Sequence, residues 1–359
     1  MPWSGNLKAE AENLLSQISD PIEFQKQVAE EASNRLASVM QGLQNFGEFE
    51  YKKASEDLPS IWQEGSTRLI DYGGETNSPI ALFVPSLINR AYILDLSEER
   101  SMLKFLASQN IRCLLLDWGD PRQGEKNYTL EDYIKRLGRA IEAVGKPVAL
   151  VGYCMGGLMA MATALRDNKN VKALSLLATP WDFHSKDVDR LPLNEATVQF
   201  FSHLWESAET VPGMAVYQLF YLMNPWLVHD KYARFAEMDP KSEKARAFFE
   251  REFWLNDDVA LTAEVAKECF VDWAVYNTPM EGKWQVEGNT VKPEEVAQPT
   301  LIAIPKADRI VPPLSASPLS VMIPNAETIY SPSGHIGMIV GSTAENSLWT
   351  PLANWLQKL

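Results

Sequence analysis

Between Lys146 and Arg166 the chain carries no charged residue, yet glycine breaks the stretch too often for a single helix. Val148-Ala-Leu-Val151 reads as a buried strand, Gly152-Tyr-Cys-Met-Gly-Gly157 as a tight turn, and Leu158-Met-Ala-Met-Ala-Thr-Ala-Leu165 as a helix. A membrane span of this length would not be interrupted by three glycines, so no membrane span is expected. Glycines at 152 and 156 let strand and helix pass closely, and the strained turn presents the Cys154 side chain. A nucleophile at the start of a helix has a backbone N–H beside it that can stabilise a thiolate or an oxyanion.

Such a strand–turn–helix is the nucleophile elbow of an α/β-hydrolase sheet. Cysteine in the serine position bears on the chemistry. An acyl group moved from a thioester onto Cys154 remains a thioester and stays activated for the next acceptor, whereas on serine it would become an oxygen ester. The elbow therefore points to acyl transfer.

The rest of the chain fits that fold. Apolar runs at 68–72, 80–84, 112–117, 148–151 and 171–178 alternate with helical ones, as in a mostly parallel sheet covered on both faces. The rhythm stops after Ala178 and resumes with Thr300-Leu-Ile-Ala-Ile304 and Glu327-Thr-Ile-Tyr330. The stretch between is too long for a loop. It holds Trp181, Trp205, Trp226, Trp254, Trp273 and Trp284, six of the eleven tryptophans, and reads as a helical cap over the active site. The expected division is a helical segment over 1–60, a first core half over 61–180 with the sheet starting around Thr67, a cap over 181–296 and a second core half over 297–359. In the N-terminal segment Asp20-Pro21-Ile22-Glu23 is a helix start, with Asp as cap and Pro in the first turn. Phe24, Val28, Ala32, Leu36, Met40 and Leu43 then recur at helical spacing. That stripe suits packing on its own domain or docking on another subunit or an apolar surface.

A cysteine nucleophile needs a base, and there are four histidines. His335, in Ser333-Gly-His-Ile-Gly337, follows the last expected strand, where this fold carries its catalytic histidine. His184, His203 and His229 fall in the cap, where exposed or locally hydrogen-bonded roles are expected. Asp308, in Pro305-Lys-Ala-Asp-Arg-Ile310, follows the preceding strand. Cys154, Asp308 and His335 thus stand in the nucleophile–acid–base order of α/β-hydrolases. The backbone N–H of Met155 is one expected oxyanion donor, and the loop after 80–84 supplies the other at Leu87 or Ile88.

Composition narrows the partners. With 33 basic against 47 acidic residues the net charge is −14, which disfavours nucleic acid and anionic membranes. An anionic substrate would need a local basic patch. Arg90, Arg100, Arg122 and Lys126 are the basic residues near the oxyanion loop, most of them expected on solvated surface. Cysteines 113, 154 and 269 make no pair or metal spacing, and the opening Pro-Trp-Ser-Gly-Asn-Leu-Lys has no secretory apolar core, so no metal and a cytoplasmic setting are expected.

Several stretches resemble the polyhydroxyalkanoate synthases, which polymerise 3-hydroxyacyl-CoA into storage polyester. They are Leu87-Ile-Asn-Arg-Ala-Tyr-Ile-Leu-Asp-Leu96, Asp117-Trp-Gly119 with Tyr128-Thr-Leu-Glu-Asp-Tyr133, the elbow itself, Thr179-Pro-Trp-Asp-Phe183, and Gly334-His-Ile-Gly337 with Val340-Gly341. The length is similar to that of the short catalytic chains of two-component synthases. The resemblance implies Cys154 as acyl carrier, His335 as activator of Cys154 and of the incoming 3-hydroxyl, and Asp308 as its support. It further implies coenzyme A thioester as substrate with no cofactor, a growing polyester chain, a second synthase subunit or a homodimer as partner, and a place at polyester granules. The alternatives are a cysteine hydrolase (a thioesterase, a polyester depolymerase or a dienelactone-hydrolase-like enzyme) and a non-catalytic granule-surface subunit that keeps the fold.

Overall fold

The computed structural model describes residues 12–13, 15–50, 58–75, 78–185, 209–223 and 227–359. His203, Trp205 and Trp226 lie outside them. The chain divides into two compact units, residues 1–51 with 224–249, and residues 52–223 with 250–359.

The larger unit is built on one eight-stranded sheet. Its strands are β1 (Ser60–Glu64), β2 (Thr67–Asp71), β3 (Ile80–Val84), β4 (Arg112–Asp117), β5 (Val148–Tyr153), β6 (Val171–Leu177), β7 (Thr300–Pro305) and β8 (Glu327–Ser331). They lie in the order β1-β2-β4-β3-β5-β6-β7-β8. The pairings of β2 with β1 and with β4 are antiparallel, and all the others are parallel. The central strands are apolar at every position because both faces are covered, and their period of two sorts them into two cores. Leu82, Val84, Val148 and Leu150 face one side, and Ala81, Phe83, Ala149 and Val151 the other. The chain leaves β3 toward β4 on one side and returns to β5 on the other, with Leu82 opposite Leu150 and Val84 opposite Gly152. Ligands bind outside the carboxyl ends of strands at such a reversal.

Helix α1 (Pro21–Gly47) starts where the sequence indicates, with Asp20 accepting from the N–H groups of Ile22 and Glu23. Its stripe, however, stays open: Phe24, Val28, Leu36, Met40 and Leu43 are 42–62% exposed. Packing within the smaller unit instead uses Gly42, set against the Tyr232 backbone, and Phe46, stacked on Phe249 at 4.5 Å. In the larger unit the uncharged stretch 147–165 resolves into β5 and a wholly buried helix, α2 (Met155–Ala164). No helix among the described residues is long and apolar enough to cross a membrane. Strand β1 precedes the expected start of the sheet at Thr67; it is an edge strand with polar residues at both ends and gives no apolar run.

Candidate active site

The elbow is held by three close approaches. A Cβ on Gly152 would lie 2.4 Å from the Gly157 Cα, one on Gly156 2.0 Å from the Val84 carbonyl oxygen, and one on Gly157 1.9 Å from Thr179 Oγ1. No side chain fits at any of them, so strand, turn and helix are locked together. Cys154 itself takes φ 55° and ψ −128°, a conformation L-residues rarely adopt, which lifts its side chain off the sheet end. Its carbonyl accepts from the Gly157 N–H at 2.9 Å. Met155 opens α2, so its N–H is one of the helix's four donors without an intrahelical acceptor.

The turns after β7 and β8 meet at the same end of the sheet. The Lys306 N–H donates to the Ser331 carbonyl and the Ala307 N–H to the Ser333 carbonyl, which ties them together. Asp308 and His335 follow from these turns, with His335 Nδ1 2.7 Å from Asp308 Oδ2. The other Asp308 oxygen accepts from the Ile310 and Val311 N–H groups at 2.8 and 2.9 Å. The Cys154 side chain is close enough to act electrostatically on the imidazole. Tyr153 stacks on the imidazole, ring centres 5.1 Å apart, and donates to the His335 carbonyl at 3.2 Å. Burial alone would depress the imidazole pKa, but the electrostatic pull of Cys154 and of the hydrogen-bonded Asp308 outweighs it and pushes it up to about 10. Asp308 and His335 are therefore paired, and Cys154 stands at the end of β5 next to the tyrosine that stacks on the same imidazole.

The loop after β3 is more constrained than its sequence reveals. The Ile88 N–H is taken by Ser86 Oγ at 3.1 Å, which sets it apart from Leu87 as an oxyanion donor. Trp118, present in the Asp-Trp-Gly motif but given no role there, donates Nε1 to the Pro85 carbonyl at 3.0 Å. The basic residues are not mainly solvated as expected. Arg90 pairs with Asp120 at 2.8 Å and Asp257 at 3.2 Å, and Arg100 with the buried Glu250 at 2.9 Å. Lys126 pairs with Glu209. Trp254 donates to the Arg90 carbonyl, and Asn89 bridges to Asp258, so the residues following the oxyanion loop are bound to the segment 254–258 of the insertion.

Two insertion residues near the nucleophile escaped the sequence reading. Cys269 Sγ lies 3.8 Å from Met155 Sδ, and burial pushes its thiol well above the usual range. Its neighbour Glu268 accepts from Trp284 Nε1 at 2.8 Å and is raised by burial to about 7. Both sit on a π-helical turn, Glu268–Trp273, a distortion that often marks function but leaves no trace in apolar spacing. His229 has a local partner, its neighbour Asp230, whereas His184 reaches the Ala274 carbonyl 90 residues along the chain. Among the described residues no group of three or more His, Cys, Asp or Glu could hold a metal ion.

Comparison with known proteins agrees with this fold. Residues 82–342 match the family model of the alpha/beta hydrolase fold. A poly(3-hydroxyalkanoate) polymerase subunit of Haloferax mediterranei is 27% identical over 95% of this chain and 72% of its own length. The corresponding subunit of Haloarcula marismortui is 30% identical over 82% of this chain and 66% of its own, and that of Synechocystis sp. 25% identical over 91% of each. Among solved structures, a hydrolase from Pseudomonas aeruginosa superposes with a TM-score of 0.54 at 14% identity, covering 84% of this chain and 99% of its own. That likeness is one of fold.

Proposed function

We propose that this chain, which belongs to the α/β-hydrolase family and within it to the poly(3-hydroxyalkanoate) polymerases, is an acyltransferase that joins 3-hydroxyacyl groups from coenzyme A thioesters into polyester. The observation that carries this reading is a cysteine at the strained turn of the elbow, next in the chain to a tyrosine stacked on an imidazole that an aspartate holds at 2.7 Å. In the reaction the Cys154 sulfur, its proton on His335, attacks the thioester carbonyl carbon. The N–H groups of Met155 and Leu87 receive the oxyanion. The carbon–sulfur bond to coenzyme A breaks, and His335 gives its proton to the departing sulfur. Neutral His335 then takes the proton of the 3-hydroxyl of a second acyl group as that oxygen attacks the Cys154 thioester. The new ester forms, Cys154 leaves as thiolate, and the charged pair is restored. Asp308 fixes the ring orientation and offsets its charge throughout.

The aromatic insertion would keep water from the thioester, leaving the hydroxyl as acceptor. A second synthase subunit or a second copy of the chain, and a place at the polyester surface, belong to the same reading.

The test is incubation with 3-hydroxybutyryl-CoA, following free coenzyme A and precipitated polymer together, with and without a second synthase subunit. Coenzyme A release matched by polyester and lost in Cys154→Ala is the expected result. Release with only free 3-hydroxybutyrate would make the chain a thioesterase, and no release under either condition would overturn the reading.

A further inference from the structure

The oxyanion loop begins at Pro85, and the Pro85 carbonyl is gripped from two sides. The start of α2 abuts it, leaving no room for a Cβ on Gly156, which would lie 2.6 Å from that oxygen. From the other side Trp118 Nε1 donates to it at 3.0 Å. Trp118 is 3% exposed, and its own carbonyl takes two donors, Ser66 Oγ at 2.8 Å and Thr67 Oγ1 at 3.2 Å.

Behind these two hydroxyls stands a buried ion pair. Arg136 Nη1 donates to Thr67 Oγ1 at 3.1 Å, and its Nη2 lies 2.7 Å from Glu125 Oε1. The same Glu125 oxygen accepts from the Ser66 N–H at 3.0 Å, and its partner oxygen from the Arg122 N–H at 2.9 Å. The Arg136 and Glu125 side chains are 1% and 5% exposed. A buried pair of this kind adds little net stability over well-packed apolar residues, but it does hold one geometry. Here every link is hydrogen-bonded, and the chain of contacts ends on the carbonyl two residues before Leu87.

We propose that Trp118 is a positioning residue for the oxyanion hole. The Arg136–Glu125 pair, through Ser66 and Thr67, sets the Trp118 backbone, and the Trp118 indole sets the height of the 85–88 loop above Cys154. The inference rests on the reading of Leu87 and Met155 as oxyanion donors. Trp118 touches no reacting atom and acts only through the Pro85 carbonyl.

The test uses the full chain and two probes of Cys154. A trifluoromethyl ketone analogue of a butyryl thioester adds the thiol reversibly and places an oxyanion in the hole; iodoacetamide alkylates the same thiol without one. In Trp118→Phe, which keeps the ring and removes the N–H, the analogue should bind about tenfold more weakly while alkylation changes by less than about twofold, a fraction of the loss on deleting an oxyanion donor outright. Ser66→Ala, remote from the loop and gentle on the core, should weaken analogue binding in the same direction and leave alkylation alone, and it serves if Trp118→Phe does not fold. Unchanged analogue affinity in the folded variants, or equal losses with both probes, would overturn the proposal. An analogue that wild type does not bind would overturn the oxyanion assignment beneath it. Weakened analogue binding in a protein that makes no polyester would leave the positioning role standing and remove the polymerase reading instead.

Discussion

His335 Nδ1 and Asp308 Oδ2 are 2.7 Å apart, and the carboxylate that holds the ring is itself held by two backbone N–H groups. The imidazole therefore keeps its proton to about pH 10. Ring signals followed by NMR should titrate far above the ordinary histidine value of about 6.5. Asp308→Asn, which removes one of the two charges, should bring that midpoint down by at least about one unit. The linked stability has a definite sign. Because the folded chain binds the proton more tightly than the unfolded one, the contribution is complete below about 6.5 and fades as pH rises toward 10. In His335→Gln that part of the alkaline decline in melting temperature should disappear.

Cys154→Ser should retain the fold and lose polymer synthesis, because the intermediate becomes an oxygen ester no more activated than the product. Polymer yield and mass-spectrometric detection of the acyl-enzyme check this together. Undiminished yield would remove the role assigned to sulfur.

Gly156→Ala places a methyl where the Val84 carbonyl oxygen is 2.0 Å away, and the φ of Cys154 leaves the elbow no slack to absorb it. Overpacking of this kind costs about 1–3 kcal/mol, readable by denaturant titration. Acyl transfer should fall beyond what the stability loss explains, since the same shift moves the oxyanion loop.

Glu268 is raised to about 7 because burial penalises its charged form against a single Trp284 donor. Its ionisation costs stability above pH 7 and costs nothing below the unfolded value near 4.5. Glu268→Gln, which keeps an acceptor for the indole, should raise the melting temperature at pH 8 and leave it unchanged at pH 4, with at most roughly 3 kcal/mol available.

Arg90 and Asp257 are both partly exposed, so their pair should contribute less than about 1 kcal/mol to global stability. Its effect should be local. Arg90→Ala is expected to speed hydrogen exchange over 254–258 while the sheet amides keep their protection.

How far the sequence could be read depended on whether a feature belongs to chain order or to distant contact. Cys154 and Asp308 each follow a strand whose apolar run is plain, and His335 follows the shorter alternating Glu327-Thr-Ile-Tyr330, so their place at one end of the sheet could be inferred. Strand β1 could not, because an edge strand with one covered face carries only Ile61 and Trp62 to mark it. The engagement of the Ile88 N–H by the Ser86 hydroxyl was equally hidden, because no spacing records the orientation of a hydroxyl. Asp257, which pairs with Arg90, and Glu250, which pairs with Arg100, stand 167 and 150 residues away, so these ion pairs read as free surface charge. In α1 the period identified an apolar stripe but not the side that packs, which is chosen by Gly42 and Phe46.

The smaller unit joins the first segment of the chain to residues 224–249. A ribosome adding roughly 5–20 residues per second needs on the order of ten seconds or more to travel from the end of α1 to its packing partners. Throughout that interval the side of α1 that carries Gly42 and Phe46 is outside the exit tunnel without the residues it packs on. That side of α1 waits for its partners long after the helix is made, and slowing translation over 48–223 should lengthen its exposure to chaperones and proteases in proportion.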